Sequence, residues 1–443
     1  MIDSLLKPFQ RFGVHLGLER IQRLLADLGN PHHSVPVIHV AGTNGKGSVC
    51  AYLSAVLTEA GYRVGRYTSP HLVDWNERIC LNEQPISTNA FRELLLRIEA
   101  VIPENREDSP TQFEVITAAA WLYFAQQQVN IAVMEVGLGG RLDATNVCDC
   151  PLVTIITSIS REHWQVLGPT LADIAREKAG ILKPGYPAVV GQLPPEAEAV
   201  VEQRIKELGC PTVWVKPAQR IKEGWADYQG IKYPLPLLGE IQLTNSAIAI
   251  ATLQILQQQG WEIPQKAVGE APPVSATVPL AKQGEAQQLG LIASGMAKTT
   301  WPGRLQWTTW HNHRLLIDGA HNPAAAIALR QYVDTLNSPV TWVIGILSTK
   351  DHADIFDALL RPTDRLYIVP VPDHSSADPE ELAILAQDIC PELAKCGTYP
   401  NLEAGLQAAT SNSAEVSENV IVLCGSLYLV GYFFKQHHSA LSS

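Results

Sequence analysis

The sequence predicts an α/β protein with two parallel-sheet domains. Three observations predict it. Short, continuously apolar segments alternate with amphipathic ones along most of the chain, the pattern of buried parallel strands joined by helical crossovers. The first of these strands runs into a Gly-rich loop that opens a helix. The chain has 443 residues, 46% of them hydrophobic, enough apolar material for more than one full-sized core.

The elements follow in order. Residues 18–28 (LERIQRLLADL) carry apolar side chains at helical spacing. Residues 35–40 (VPVIHV) read as a short buried strand ending in AGTNGKGS. From Ser48, the positions Val49, Leu53, Val56, Leu57 and Ala60 recur on a helix. A strand is predicted over 62–67, and helices over 88–101 and 112–127. Residues 131–136 (IAVMEV) form a buried strand ending in GLGGRLDATN; the next strand is 152–157, and 170–182 is a charge-rich helix. After a helix at 243–259 the pattern stops. Residues 262–300 hold Pro, Ala, Gly and Gln with little periodicity, a linker carrying an insertion at 271–289. A second α/β pattern then supplies strands at 315–317, 341–346, 365–369 and 420–424, with helices between. The domain plan is 1–270, a linker over 271–298, and a smaller domain over 299–443. No internal repeat or coiled coil is visible.

Composition excludes several classes. The chain has 33 basic and 44 acidic residues, a net charge of −11, which argues against coating nucleic acid or an anionic membrane. The eight cysteines are scattered, and Cys148-Asp149-Cys150 is neither a C-x-x-C redox motif nor a zinc knuckle. The first residues lack the charged-then-apolar pattern of a secretory signal, and no apolar run reaches the roughly 18–20 residues of a membrane span. The expectation is a soluble cytoplasmic protein with reduced thiols and no nucleic-acid or membrane partner.

AGTNGKGS, residues 41–48, is the strongest single signal. Glycines at 42, 45 and 47 let backbone N–H groups turn inward onto phosphate oxygens. Thr43, Asn44, Gly45, Lys46, Gly47 and Ser48 are the expected ATP contacts. Lys46 supplies charge for the terminal phosphates, and Ser48 a hydroxyl for phosphate or Mg²⁺. Two departures from G-x-x-x-x-G-K-[ST] stand out: Val40 replaces the first Gly, and Gly47 follows the Lys. The position between strand and helix favours a nucleotide loop over an ordinary Gly-rich turn. The N-terminal domain is thus P-loop NTPase-like and the smaller C-terminal one Rossmann-like. No N-K-x-D guanine reader is present; Leu347–Asp351 has the wrong spacing. Glu135, in the strand 131–136, stands in place of the usual Walker-B Asp one strand away from the loop, where a carboxylate could hold a metal or its water.

Eight blocks occur in order: GTNGKGS, SPHL with WNERI, EVGLGGRLDATN, EHWQVLG, REKAGI, WPGR, DGAHNP and CGS. Together they resemble the folylpolyglutamate synthase/dihydrofolate synthase family of the Mur-ligase superfamily, over roughly residues 10–435. The resemblance implies an ADP-forming amide ligase. A pteroate or folate carboxylate attacks the γ-phosphate of ATP, and the acyl phosphate is attacked by the amine of L-glutamate. Such chemistry needs neutralised phosphates, exclusion of water by a closing second domain, and a presented amine.

The resemblance also implies roles. Ser48, Glu135 and His163 match metal positions, a set that suits Mg²⁺ or Mn²⁺. Where the family usually shows Asp-His, this chain has Glu162-His163. Lys178 matches a carbamylated lysine. A lysine can accept that group only when part of it is uncharged, which burial or nearby cations favour. Lys46, Lys178 and His321 are the implied catalytic side chains; nothing assigns a K⁺ site. Asn245, Arg304 and Asp318 match nucleotide contacts. His321 and Asn322 face the same cleft, and Asn322 also reads as the cap of a Pro-started helix. Ser69, Pro70 and His71 match a folate loop. His71 and the LGLER segment, residues 16–20, resemble members that also make dihydrofolate, so a bifunctional enzyme is expected, acting as a monomer on dihydropteroate or a reduced folate, L-glutamate and ATP.

The alternatives are a monofunctional folylpolyglutamate synthase, a Mur-type amino-acid ligase and a P-loop ATPase module. A Mur-type ligase needs about 100 residues ahead of its phosphate loop, whereas here that loop begins at residue 42. The paired SPHL and DGAHNP blocks speak against a bare ATPase.

Overall fold

The continuously apolar segments become the centre of a large sheet. The computed structural model describes residues 2–10, 16–103, 109–263, 290–411 and 419–437. Eight strands are β1 (Val37–Ala41), β2 (Val64–Tyr67), β3 (Ile79–Leu81), β4 (Gln84–Pro85), β5 (Ile131–Glu135), β6 (Val153–Ile156), β7 (Ala188–Val190) and β8 (Thr212–Trp214). Their order is β4-β3-β2-β5-β1-β6-β7-β8. The run from β2 to β8 is parallel, and β3 and β4 add an antiparallel edge. Every residue of β1, β5 and β6 is buried, because helices cover both faces of a parallel sheet.

β1 lies between β5 and β6 although the chain visits β2 next. The strand order reverses there, and ligands of open α/β sheets bind at the carboxyl ends of strands beside such a reversal. The helix Lys46–Glu59 leaves β1 at this point. Its residues Ser48–Leu57 are buried on all sides, which is why its apolar positions show no one-sided stripe. The helix Gln112–Gln126 is fixed by a capping box: Thr111 accepts from the Glu114 amide, and Glu114 from the Thr111 amide.

Three further strands, β9 (Gln219–Lys222), β10 (Trp225–Tyr228) and β11 (Ile231–Pro234), make a small antiparallel sheet that the apolar pattern did not announce. All of β9 is exposed, so it carries no hydrophobic alternation to read.

The second parallel sheet has β12 (Gln306–Trp310), β13 (His313–Ile317), β14 (Val340–Ile344), β15 (Arg365–Ile368), β16 (Lys395–Thr398) and β17 (Val420–Cys424). The order is β12-β13-β17-β14-β15-β16, with only β12 antiparallel to its neighbour. Its two faces carry separate apolar clusters, one around Trp342 and Phe356, the other around Tyr367, Phe433 and Phe434.

The described residues divide into two compact units. One takes those within Met1–Pro70, Trp75–Pro236 and Gln242–Thr300; the other takes His71–Asp74, Leu237–Ile241 and those within Trp301–Ser443. The expected linker over 271–298 differs in part. Leu291–Ala297 is a helix with Ile292, Ala293, Gly295 and Met296 buried. A Cβ on Gly295 would run into the Val56 backbone, so a Gly that looked like linker composition is a packing residue. The insertion at 271–289 lies outside the described residues. No helix among the described residues is long and apolar enough to cross a membrane.

Candidate functional site

Four strand ends of the first unit meet at the Gly-rich loop. Gly42 has φ +149° and Gly45 φ +86°. A Cβ on Gly42 would collide with the Thr157 hydroxyl, and one on Gly45 with the Asn245 side-chain oxygen. The first backbone bond of the helix Lys46–Glu59 is Val49 N–H to Gly45 O, 2.9 Å. The amides of Lys46, Gly47 and Ser48 therefore head the helix with no intrahelical acceptor, a site suited to anionic oxygens.

The loop is strapped from the segment after β6, which sequence reasoning left unassigned. Thr157 Oγ1 donates to Asn44 O at 2.7 Å. Ser158 Oγ accepts from Asn44 N–H at 3.1 Å, and Thr43 N–H donates to Ser158 O at 2.8 Å. Ser160 N–H donates to Thr43 Oγ1 at 3.1 Å. Of the predicted ATP contacts, the Thr43 and Asn44 amides thus hold the loop's shape, and the amides of Lys46, Gly47 and Ser48 head the helix.

Two lysines converge on one carbonyl. Lys46 Nζ donates to Gly42 O and Thr43 O, both at 3.1 Å, and lies 3.9 Å from Glu135 Oε1. Lys178 Nζ donates to Gly42 O at 2.8 Å. Burial and, next, the charge of Lys46 push the Lys178 ammonium down to about 7, against the pull of Glu162 and Asp143. At neutral pH a large share of Lys178 is therefore a free amine. Glu135 is buried, and its Oε2 accepts from Ser69 N–H at 3.1 Å, which ties the start of SPHL to the end of β5.

The expected metal set is spread around this loop. Ser48 Oγ is buried and accepts from Gln242 Nε2 at 3.3 Å. The His163 side chain is 47% exposed, with Nε2 3.8 Å from Glu162 Oε1. Among the described residues no three His, Cys, Asp or Glu side chains converge as a metal cage. One carboxylate, one hydroxyl and one imidazole fit a hard cation that keeps waters and takes further oxygens from a bound phosphate. Asn245 is buried beside Gly45, its Nδ2 donating to Gln242 Oε1 at 3.1 Å.

EVGLGGRLDATN is anchored by Asp143. Its Oδ2 accepts from Leu138 N–H at 2.8 Å, and its Oδ1 from the Thr145 hydroxyl at 2.6 Å. The Thr145 proton is thereby used, so His39 Nε2–H is the donor in the 2.8 Å contact to Thr145 Oγ1. Burial pulls the His39 imidazolium down to about 3, so the ring is neutral. LGLER is anchored too: Arg20 Nε bonds both Glu114 oxygens at 3.1 Å.

The second unit gathers WPGR, DGAHNP and CGS at the carboxyl ends of β13 and β17. Asp318 Oδ2 accepts from Leu305 N–H at 2.9 Å and Oδ1 from Ala320 N–H at 2.8 Å. Burial pushes the Asp318 carboxyl up, and Arg304 opposes that. A Cβ on Gly319 would collide with the Arg304 guanidinium and with Leu427, so Gly319 gives Arg304 its place. His321 Nδ1 lies 2.7 Å from Gly319 O, and a carbonyl only accepts, so the ring proton sits on Nδ1. Asn322 caps the helix Pro323–Asp334 through Ala325 N–H at 2.9 Å, as its position before a proline suggested. Gly425 N–H donates to Ala320 O at 3.0 Å, joining CGS to DGAHNP.

The predicted folate loop divides: Ser69 and Pro70 cluster with the first unit, His71 with the second. There Leu72 packs among Leu429, Val430 and Phe433, and a Cβ on Gly431 would strike the Leu72 carbonyl.

Comparison with known proteins gives consistent matches. Residues 40–253 match the Mur ligase middle domain, and residues 304–436 the C-terminal domain of dihydrofolate synthetase. The chain is 35% identical to the Saccharomyces cerevisiae dihydrofolate synthetase, over 97% of this chain and 99% of that protein. It is also 35% identical to the Lacticaseibacillus casei folylpolyglutamate synthase, over 93% and 92%. Among solved structures, Mycobacterium tuberculosis folylpolyglutamate synthase complexed with ADP and AMPPCP superposes with a TM-score of 0.82 at 30% identity, covering 98% of this chain and 97% of that one. A bifunctional folylpolyglutamate synthase/dihydrofolate synthase with Mn, AMPPNP and L-glutamate bound gives 0.80 at 30% identity, covering 99% and 98%.

Proposed function

The chain belongs to the folylpolyglutamate synthase/dihydrofolate synthase family, and from that premise we propose that it joins L-glutamate to dihydropteroate and to folyl(poly)glutamates, forming ADP and phosphate. The observation that carries this reading is the loop of the first unit. The first amides of the helix Lys46–Glu59, the Lys46 ammonium 3.9 Å from Glu135, and the buried Ser48 hydroxyl all belong to it.

The substrate carboxylate attacks the γ-phosphorus of ATP, ADP leaves, and an acyl phosphate results. The glutamate amine then attacks the acyl carbon, and phosphate and a proton leave. Lys46, withdrawn onto Gly42 O and Thr43 O, swings to the β,γ-phosphates as they enter. The amides of Lys46, Gly47 and Ser48 receive phosphate oxygens. Ser48, Glu135 and His163 are the residues that would hold Mg²⁺ or Mn²⁺, which supplies charge neutralisation on the phosphates when bound. In the second unit, Arg304, Asp318 and His321 are the side chains for nucleotide and glutamate. The folate-binding residues are Ser69, Pro70 and His71.

Lys178 is proposed to carry a carbamate: its neutral amine adds to CO₂ and releases a proton, giving an anion beside Lys46. Its burial and its pKa near 7 support this. The enzyme is taken to act as a cytoplasmic monomer. Two activities are supported by equal identity to a dihydrofolate synthetase and a folylpolyglutamate synthase, and by the anchoring of LGLER through Arg20.

The test offers dihydropteroate and tetrahydrofolate separately with ATP, Mg²⁺ and glutamate, and follows products by mass spectrometry. Glutamylated product from both is expected. Product from tetrahydrofolate alone would reduce the enzyme to one activity, and ATP hydrolysis without either acceptor would overturn the ligase reading.

A further inference from the structure

The predicted folate loop has two limbs, and the returning limb is tied to the start of the chain. The chain leaves the first unit after Pro70 and re-enters it at Trp75. On the outgoing side, Ser69 N–H donates to Glu135 Oε2 at 3.1 Å. On the returning side, Trp75 Nε1–H donates to Asp3 Oδ1 at 2.7 Å, across 72 residues of sequence. Asp3 belongs to none of the recognised blocks. It rides on the helix Ile2–Leu6, whose Ile2 and Leu6 are buried in the core that also takes Leu94, Leu95 and Ile98. Trp75 is partly buried against the same core. An anchored helix therefore presents a carboxylate to the indole.

The tie reaches further along the loop. The Arg78 guanidinium lies over the Trp75 ring, 4.6 Å from its centroid, and Arg78 is buried. Arg78 O accepts from Thr68 N–H at 3.1 Å, one residue before Ser69. Contacts thus run from Asp3 through Trp75 and Arg78 to the residue that precedes the loop. A carboxylate that accepts from an indole makes a charge-assisted bond, stronger than a neutral one. Fixing both limbs reduces the shapes open to the residues between them. A loop ordered before its ligand arrives loses less freedom on binding.

We propose that Asp3 and Trp75 form a latch that positions this loop for the pteroate or folate substrate. This rests on the folate reading of Ser69, Pro70 and His71 and deepens it. Asp3 is a positioning residue that acts through Trp75.

The test is a double-mutant cycle of Asp3→Ala and Trp75→Phe in the full chain, with Asp3→Asn as the conservative variant. Trp75→Phe keeps a ring beneath Arg78 and removes the N–H. Equilibrium dialysis measures binding of tetrahydrofolate and of dihydropteroate in the presence of AMPPNP and Mg²⁺, and binding of AMPPNP by itself. Each single variant is expected to weaken binding of the pterin compounds about fivefold. The double variant should lose no more than either, because both substitutions break one contact. Asp3→Asn keeps an acceptor oxygen and should lose less than about twofold. AMPPNP binding should change little throughout, a split that general destabilisation would not give. Unchanged pterin binding in the single variants, losses that multiply in the double variant, or an equal loss of AMPPNP binding would each overturn the proposal. Should Trp75→Phe not fold, Asp3→Ala against Asp3→Asn decides it, equal affinities overturning the latch. A wild-type chain that binds neither pterin compound would overturn the folate reading itself, whereas a wild type that binds them no better than its variants overturns the latch alone.

Discussion

His39 and Lys178 show how burial resets a side chain before any ligand arrives. The His39 tautomer is fixed by Thr145, whose own proton is committed to Asp143, and Cys148 Sγ stands 3.8 Å from the other ring nitrogen. The folded chain protonates His39 only near pH 3, the unfolded chain near 6.5. Between these values the unfolded state binds more protons, so stability falls as pH falls through the window. One such proton is worth about 1.4 kcal/mol per pH unit. Urea unfolding at a series of pH values should show His39→Gln with a shallower loss than wild type between pH 6 and 4. His32, held near 4, adds the same sign and remains in the variant. At Asp318 stability and binding are joined. Its two oxygens satisfy two backbone amides, and removing an acceptor from a buried donor costs about 1–3 kcal/mol. Asp318→Ala should lower the urea-unfolding free energy by about 2–4 kcal/mol and raise the ATP concentration needed for half-maximal rate. Unchanged ATP dependence would remove Asp318 from the nucleotide site. The motif residues were legible because each block is contiguous. Gln242 and the Thr157–Ser160 strap were not, because their partners are 194 and 113–117 residues away.

At the scale of elements, β1, β5, β6 and β17 were readable because each is buried on nearly every residue and so is continuously apolar. The small sheet β9–β11 and the three-residue β7 and β8 were not. Exposure removes the pattern in the first case, and shortness leaves too few positions in the second. The helix Leu291–Ala297 hid behind Gly and Ala, which serve close packing there. The helix Gln112–Gln126 offers a graded test, since one residue does two tasks. Thr111 caps Glu114, and Glu114 both returns a bond to Thr111 and receives Arg20. Thr111→Ala should cost about 1 kcal/mol, the usual worth of a cap. Glu114→Ala should cost about 3 kcal/mol or more, because it also removes the carboxylate paired with a largely buried guanidinium. Chemical denaturation of both variants measures the difference. Equal costs would mean that the Arg20–Glu114 pair contributes nothing.

At the scale of the whole chain, a net charge of −11 coexists with a loop on which Lys46 and Lys178 converge at one carbonyl. Global charge therefore says nothing about the sign of the site. The two units also differ from the two domains that a single cut would give. Residues 71–74 and 237–241, far from residue 301 in sequence, belong to the second unit. Leu72 and Val73 pack on the cluster around Phe433, and Leu238 on the cluster around Trp342. Gly431 accommodates the Leu72 carbonyl where any Cβ would collide. A fragment of residues 301–443 keeps all six strands but leaves those three apolar positions unfilled. Large-to-small core changes of this kind cost about 2–5 kcal/mol each when fully buried, and these partly buried contacts should each cost less. The fragment is therefore expected to unfold at lower denaturant than the same strands in the full chain. Hydrogen exchange of the β13, β14 and β17 amides in both proteins compares them directly. Equal protection would show that the second unit is complete without its two borrowed segments.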